Sequence, residues 1–218
     1  MLLGIFSLWF NMLVNQPNFA ELEFNKAGYC IDVEYVSQLP ELPTGCEITS
    51  LTTVLNYYGF DVTKEEMATD YLTCGKIGTV TPYQAFLGTP FDKHSFGCYE
   101  PVIEESAVKF LSDNSSDLKV KDLTGTNLDV LEKYLQCNIP VVFWGTINMK
   151  EAYLSRFTWN IDGENFTWIS PLHCLVLIGY TEDTYIFSDP LVGITEYDKS
   201  IVQDRYKAIG KQSLIVYR

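Results

Sequence analysis

The chain has 218 residues, 47% hydrophobic and 14% aromatic, with 15 basic against 28 acidic side chains and a formal net charge of −13. That length and apolar content suit one well-filled globular domain and exclude a disordered chain, while the charge argues against nucleic acid and anionic membrane surfaces and favours a basic peptide as partner. The six cysteines, Cys30, Cys46, Cys74, Cys98, Cys137 and Cys174, show no CxxC pair and no zinc-finger spacing, so neither a structural metal nor a disulfide scaffold is expected.

Residues 1–20 carry no charged side chain, and 2–14 are mostly apolar. The run fits the apolar core of an export signal, although the Lys/Arg-rich start is missing and Asn11 and Asn15 interrupt a full membrane span. The expected location is extracellular or on the outer side of a membrane, with this segment as the means of any membrane association. A buried N-terminal element in a cytoplasmic protein is the competing reading. The folded domain is expected over 28–218.

Over 30–36 the order CIDVEYV alternates Ile31, Val33 and Tyr35 with Asp32 and Glu34, as a half-buried strand would. It delivers Ser37 and Gln38 to a turn at Pro43, Thr44 and Gly45. Ile48, Leu51, Leu55 and Tyr58 then recur at helical spacing, giving one apolar stripe that Gly59 ends. Cys46 falls in the first turn of that helix, where unpaired N–H groups and the helix dipole favour an anion, so its thiol is expected to ionise more readily than a free cysteine. Glu47 reads as a charge interaction at the helix N-terminus, with a part in shaping the site as the alternative.

Thr63 and Glu66 stand at capping-box spacing, predicting a short helix over 64–72. The GKIGT run at 75–79 lacks the spacing of a phosphate-binding loop and reads as a turn; nothing in the chain calls for a cofactor. Residues 82–101 form a long ordered loop, with His94 in a polar, exposed setting. Helices over 104–111 and 128–136, the latter capped by Asn127, enclose an extended piece at 118–123, and 139–144 reads as a buried strand. The aromatic stretch 151–170, broken by Asp162-Gly163, suggests a hairpin or flap. Its aromatics serve as core or as the wall of a cleft, and Trp144, Trp159 and Trp168 are the wall candidates.

Residues 171–190, PLHCLVLIGYTEDTYIFSDP, alternate as two strands around a polar turn. Centring that turn between Gly179 and Thr184 sets Asp189 across from His173 or its immediate neighbour, so a carboxylate stands beside an imidazole. Cys174 should face the other way. A helix-start cysteine and an imidazole oriented by a carboxylate are the parts of a nucleophilic acyl-transfer site: Cys46 attacks, His173 moves the proton, Asp189 fixes the tautomer, and Gln38 with the Cys46 backbone N–H holds the oxyanion. The order of elements, helices first and strands toward the end, points to an α+β domain.

The runs YVSQLPELPTGCEITSLTTVLNYYG, PYQAFLGTPFDKHSFGCYEPVI, PLHCLVLIGY and IFSDP resemble the C39-like peptidases of bacteria, relatives of the papain-fold cysteine proteases. The resemblance implies a papain-like fold, with the cysteine helix packed on an antiparallel sheet bearing His and Asp. It also implies Cys46 as nucleophile, His173 as base, Asp189 as orienting acid and Gln38 in the oxyanion hole. Peptides or unstructured protein segments are the expected substrates of such a thiol hydrolase. An acyl or aminoacyl transferase using the same triad, and a non-catalytic binding domain, are the alternatives.

Overall fold

The computed structural model describes residues 27–218. The apolar 1–20 segment lies outside them, and among the described residues no helix is long and apolar enough to cross a membrane. The domain is mixed α+β, built on one antiparallel sheet. In chain order the elements are β1 (Gly28–Cys30), α1 (Cys46–Tyr57), α2 (Lys64–Glu66), β2 (Cys74–Gly75), β3 (Phe86–Leu87), α3 (Glu100–Asp113), β4 (Lys119–Asp122), α4 (Leu128–Gln136) and β5 (Val141–Thr146). They continue with β6 (Tyr153–Ile161), β7 (Glu164–Ser170), β8 (Leu172–Thr181), β9 (Thr184–Asp189), β10 (Gly193–Asp198), α5 (Lys199–Ala208) and β11 (Ser213–Tyr217). The sheet order is β10-β9-β8-β5-β11-β4, with β1 added against the far end of β8.

The strand expected over 30–36 is shorter and earlier. The strand stops at Cys30 opposite Gly179, one further backbone bond runs from the Ile31 N–H to Ile178 O, and the chain then leaves the ladder with Ile31 and Val33 still turned inward. The alternation is one of burial without a ladder. The Thr63 cap holds, since its hydroxyl accepts from the Glu66 N–H at 3.1 Å, and the turn continues over Met67–Tyr71 as a π-helix. Gly78, at φ +83°, makes the turn read at 75–79. The 82–101 loop contains β3, paired in parallel with β2, and it ends earlier than expected because α3 begins at Glu100 with Pro101 in its first turn, a favoured helix start. His94 is exposed.

Strand β5 is buried at every residue because both faces of the sheet are covered. On one face α1 packs across β8 and β5. On the other, Tyr206 of α5 stacks on Phe143 at 4.5 Å, and α4 joins it through Glu132, which accepts from Tyr185 and Lys199. This explains the unbroken apolar run of β5, since no residue of a doubly covered strand faces water.

One buried carboxyl outside the site has no counter-charge among the described residues. Glu100 is 1% exposed, its Oε1 has no hydrogen-bond partner among the described residues, and burial followed by the charges of Asp122 and Glu104 pushes its pKa from 4.5 to about 8. The folded protein thus keeps a proton that the unfolded chain releases near 4.5, so the contribution of Glu100 to stability is greatest below that value and declines as pH rises toward 8. Urea midpoints measured from about pH 5 to 8 should fall in the wild type and fall less in Glu100→Gln. Equal slopes would show that Glu100 does not retain its proton.

Candidate active site

The turn before α1 is shaped by close packing. Gly45 has an ordinary negative φ, but a Cβ there would lie 2.7 Å from Leu42 Cβ and 3.0 Å from Pro90 Cβ, so the requirement is for space. Beyond it α1 is buried from Cys46 through Leu55, on its polar side too; Thr52 and Thr53 return their hydroxyls to the carbonyls of Ile48 and Thr49. The apolar stripe expected for this helix is therefore a minimum, because α1 is enclosed all round. Gly59, at φ +94°, ends it as read.

The hairpin β8–β9 brings the imidazole and carboxylate together by a different register from the expected one. Val176 pairs with Ser188, so continuing the ladder sets Asp189 opposite Leu175, two residues from His173. A shift of two preserves the face, and the side chains meet diagonally: His173 Nε2 donates to Asp189 Oδ1 at 2.7 Å, with both residues about 1% exposed. The same oxygen accepts from the Leu191 N–H at 2.8 Å. Opposite His173 on β5 is Gly145, which sets no side chain against the ring. Because Nε2 serves Asp189, the nitrogen left for other chemistry is Nδ1.

Cys46, His173 and Gln38 line one cleft of about 310 Å³. Gln38 is tied down by its backbone N–H on Pro190 O at 2.9 Å and by its amide Nε2 on Leu42 O and Pro43 O, while its Oε1 is buried without a partner among the described residues. Pro43, Thr44, Phe96, Ile147, Phe157, Trp168 and Leu191 complete most of the wall. The flap is a true hairpin, with Asp162 and Gly163 both at positive φ as a type I′ turn requires. Phe96 anchors it, meeting Phe157, Trp159 and Trp168 edge to face at 5.0–5.4 Å.

Of the three expected wall residues, Trp168 lies in the cleft, where it also stacks on Tyr99. Trp159 stands behind Phe96 and against Phe166, away from the lining. Trp144 is corrected: it is fully buried and donates its indole N–H to Cys98 O at 3.0 Å, because it points to the side of β5 packed against the 97–98 segment. Phe96 and Phe157 escaped sequence reasoning, one in a loop without periodicity and the other one aromatic among several.

The state of the thiol also differs from expectation. Cys46 is 8% exposed, and burial, then the charge of Glu47, pushes its pKa well up. The helix N-terminus is outweighed by desolvation and a neighbouring carboxylate. Its Sγ–H donates to Glu47 Oε2 at 3.2 Å, and the Cys174 backbone N–H faces the sulfur. Cys174 itself is buried and stays out of the cleft, as its strand position implies. All six cysteines are free thiols, and among the described residues no cluster of ligands is suited to a metal ion.

The sequence model of the Peptidase_C39 like family matches residues 30–214. The uncharacterized protein YvpB of Bacillus subtilis (strain 168) is 28% identical over 196 residues, covering 86% of this chain and 76% of YvpB. The crystal structure of a Bacillus anthracis protein provisionally named a C39-like peptidase superposes with a TM-score of 0.76 at 26% identity, over 87% of this chain and 98% of that one. The fold is thus the papain-like α+β arrangement of C39-like peptidases, with the cysteine helix packed on the antiparallel sheet.

Proposed function

Since the chain belongs to the Peptidase_C39 like family, we propose that it is a cysteine peptidase working through an acyl-enzyme on Cys46. The observation that carries this reading is the buried His173–Asp189 pair opening onto the same cleft as the first residue of α1. The Cys46 proton passes to His173 Nδ1, and the thiolate sulfur bonds to the scissile carbonyl carbon while the carbonyl π pair moves to oxygen. The Cys46 backbone N–H holds that oxyanion, joined by one Gln38 Nε2–H once it leaves the carbonyl of Leu42 or Pro43. Its collapse breaks the C–N bond, and His173 returns the proton to the departing amine. Water, deprotonated by His173, then attacks the thioester and releases the acid and the thiol.

An open groove with aromatic and aliphatic walls suits an extended peptide or an unstructured segment, and the net charge of −13 favours a basic one. The reading of residues 1–20 as an export segment stands with this proposal, and N-terminal sequencing of the protein recovered from the culture medium tests it. For the activity, a peptide mixture incubated with the protein, with and without an added amine, should give new acid termini by mass spectrometry. Products formed only with the amine would make it a transferase, and no products from either would support a binding domain.

Phe157 offers a measure of the flap's part. It lines the cleft and is 42% exposed, so Phe157→Ala should leave stability nearly unchanged and raise KM by roughly 3–10-fold through lost apolar contact, with kcat little altered. An unchanged KM would take the flap out of substrate binding.

A further inference from the structure

The Glu47 carboxylate stands beside the nucleophile, and a thiolate gains nothing from a negative neighbour. Glu47 is 1% exposed, and among the described residues no ion pair reaches it. Its surroundings are nevertheless built for a carboxylate. Oε1 accepts from the Cys98 N–H at 2.9 Å, and Gly97 sits so close that a Cβ there would lie 2.3 Å from Oε1. The Trp144 indole holds Cys98 from its other side. The second oxygen, Oε2, is left to the Cys46 thiol. The titratable groups that feel its charge are Cys46 on its own helix, Cys98 and Tyr99 at the approach to α3, and Cys174 on β8.

We infer that Glu47 is a positioning residue that holds Cys46 as a resting thiol with its proton directed at Oε2, so that the nucleophile is released only when the Sγ–H to Oε2 bond is given up. The inference rests on the peptidase reading for the purpose of that release, while its effect on the thiol can be measured without turnover. Burial, outweighing the hydrogen bonds from the backbone N–H groups of Cys98 and Glu47 and from Cys46, pushes the Glu47 pKa to about 7. Below that value the neutral carboxyl can donate to a thiolate, and above it the carboxylate opposes one. Thiolate formation at Cys46 is therefore restrained as pH rises through neutrality, in place of the simple one-proton rise of an isolated thiol. A purely structural tie to Cys98 would need only one acceptor oxygen and would have no effect on the sulfur.

Glu47→Gln separates these roles, since its carbonyl keeps the acceptor for Cys98 and its amide N–H₂ presents a donor to the sulfur. The experiment follows the iodoacetamide labelling rate of Cys46, resolved by peptide mass spectrometry, from pH 5.5 to 9 in the wild type and in Glu47→Gln. The variant should label about tenfold faster at pH 7, with its midpoint shifted down and a one-proton profile, while the wild type rises more shallowly between pH 6 and 8. Unchanged or slower labelling in the folded variant would overturn the inference. Should the variant not fold, a wild-type profile with a slope of one and an ordinary thiol midpoint would do the same. Peptide turnover absent from both proteins, with labelling as expected, would sink the peptidase reading and leave Glu47's hold on the thiol intact.

Discussion

Cys46→Ala should lower peptide turnover by roughly 10⁴-fold or more, because removing the nucleophile leaves only binding and the oxyanion donors. The other five thiols cannot substitute. Cys98 and Cys174 are fully buried, while Cys30, Cys74 and Cys137 lie outside the cleft that Cys46 shares with His173. A peptide carrying an electrophilic ketone in place of its scissile amide should therefore modify Cys46 alone, even though Cys30 and Cys74 are the more exposed. Recognition in the cleft, not access, selects the sulfur. Cys30→Ser and Cys74→Ser should turn over peptide as the wild type does. Full turnover by Cys46→Ala, or modification spread over the exposed thiols, would end the acyl-enzyme mechanism.

The second large effect is expected at Asp189. Its Oδ1 fixes Nε2–H of His173 and the Leu191 N–H, so Asp189→Ala leaves one buried and one partly buried donor unpaired and no longer sets which ring nitrogen carries the proton. Turnover should fall roughly 10²- to 10⁴-fold. Asp189→Asn keeps a carbonyl oxygen that both donors can use but loses the charge that stabilises the imidazolium, so it should lie between alanine and wild type. The three kcat/KM values are the measurement, with circular dichroism to confirm that each protein is folded. Alanine equal to wild type would remove Asp189 from the mechanism; asparagine as poor as alanine would show that charge, more than orientation, is what Asp189 supplies.

Parts of this site were legible because they are written in short-range chemistry. The Pro43-Thr44-Gly45 turn, the helix it releases, the Thr63 cap and the Asp162-Gly163 turn each depend on a few adjacent residues and stand where the sequence puts them. Burial of β5 was legible as well, from its run of apolar residues. The direction of Trp144 was not, since a strand covered on both faces has no polar side by which to orient it. Strand β10, helix α5 and strand β11 were not assigned from sequence, and α5 carries the Tyr206 that closes the second face of the sheet.

Sequence alone determined which residues could do chemistry here and on which local elements they ride: a cysteine opening a helix, and a histidine and an aspartate on the two arms of a ribbon. Tertiary structure decided what each of them meets. A bulge between Leu177 and Gly179 accompanies the register that makes the His173–Asp189 contact diagonal. The enclosure of α1 between the sheet and the 97–98 segment turns Glu47 from a helix-end charge into the partner of the sulfur. The desolvation comes from residues far away in the chain, and so does the packing that turns the adjacent Glu47 onto the sulfur, and for that reason the protonation of Cys46 could not be read from the residues around it.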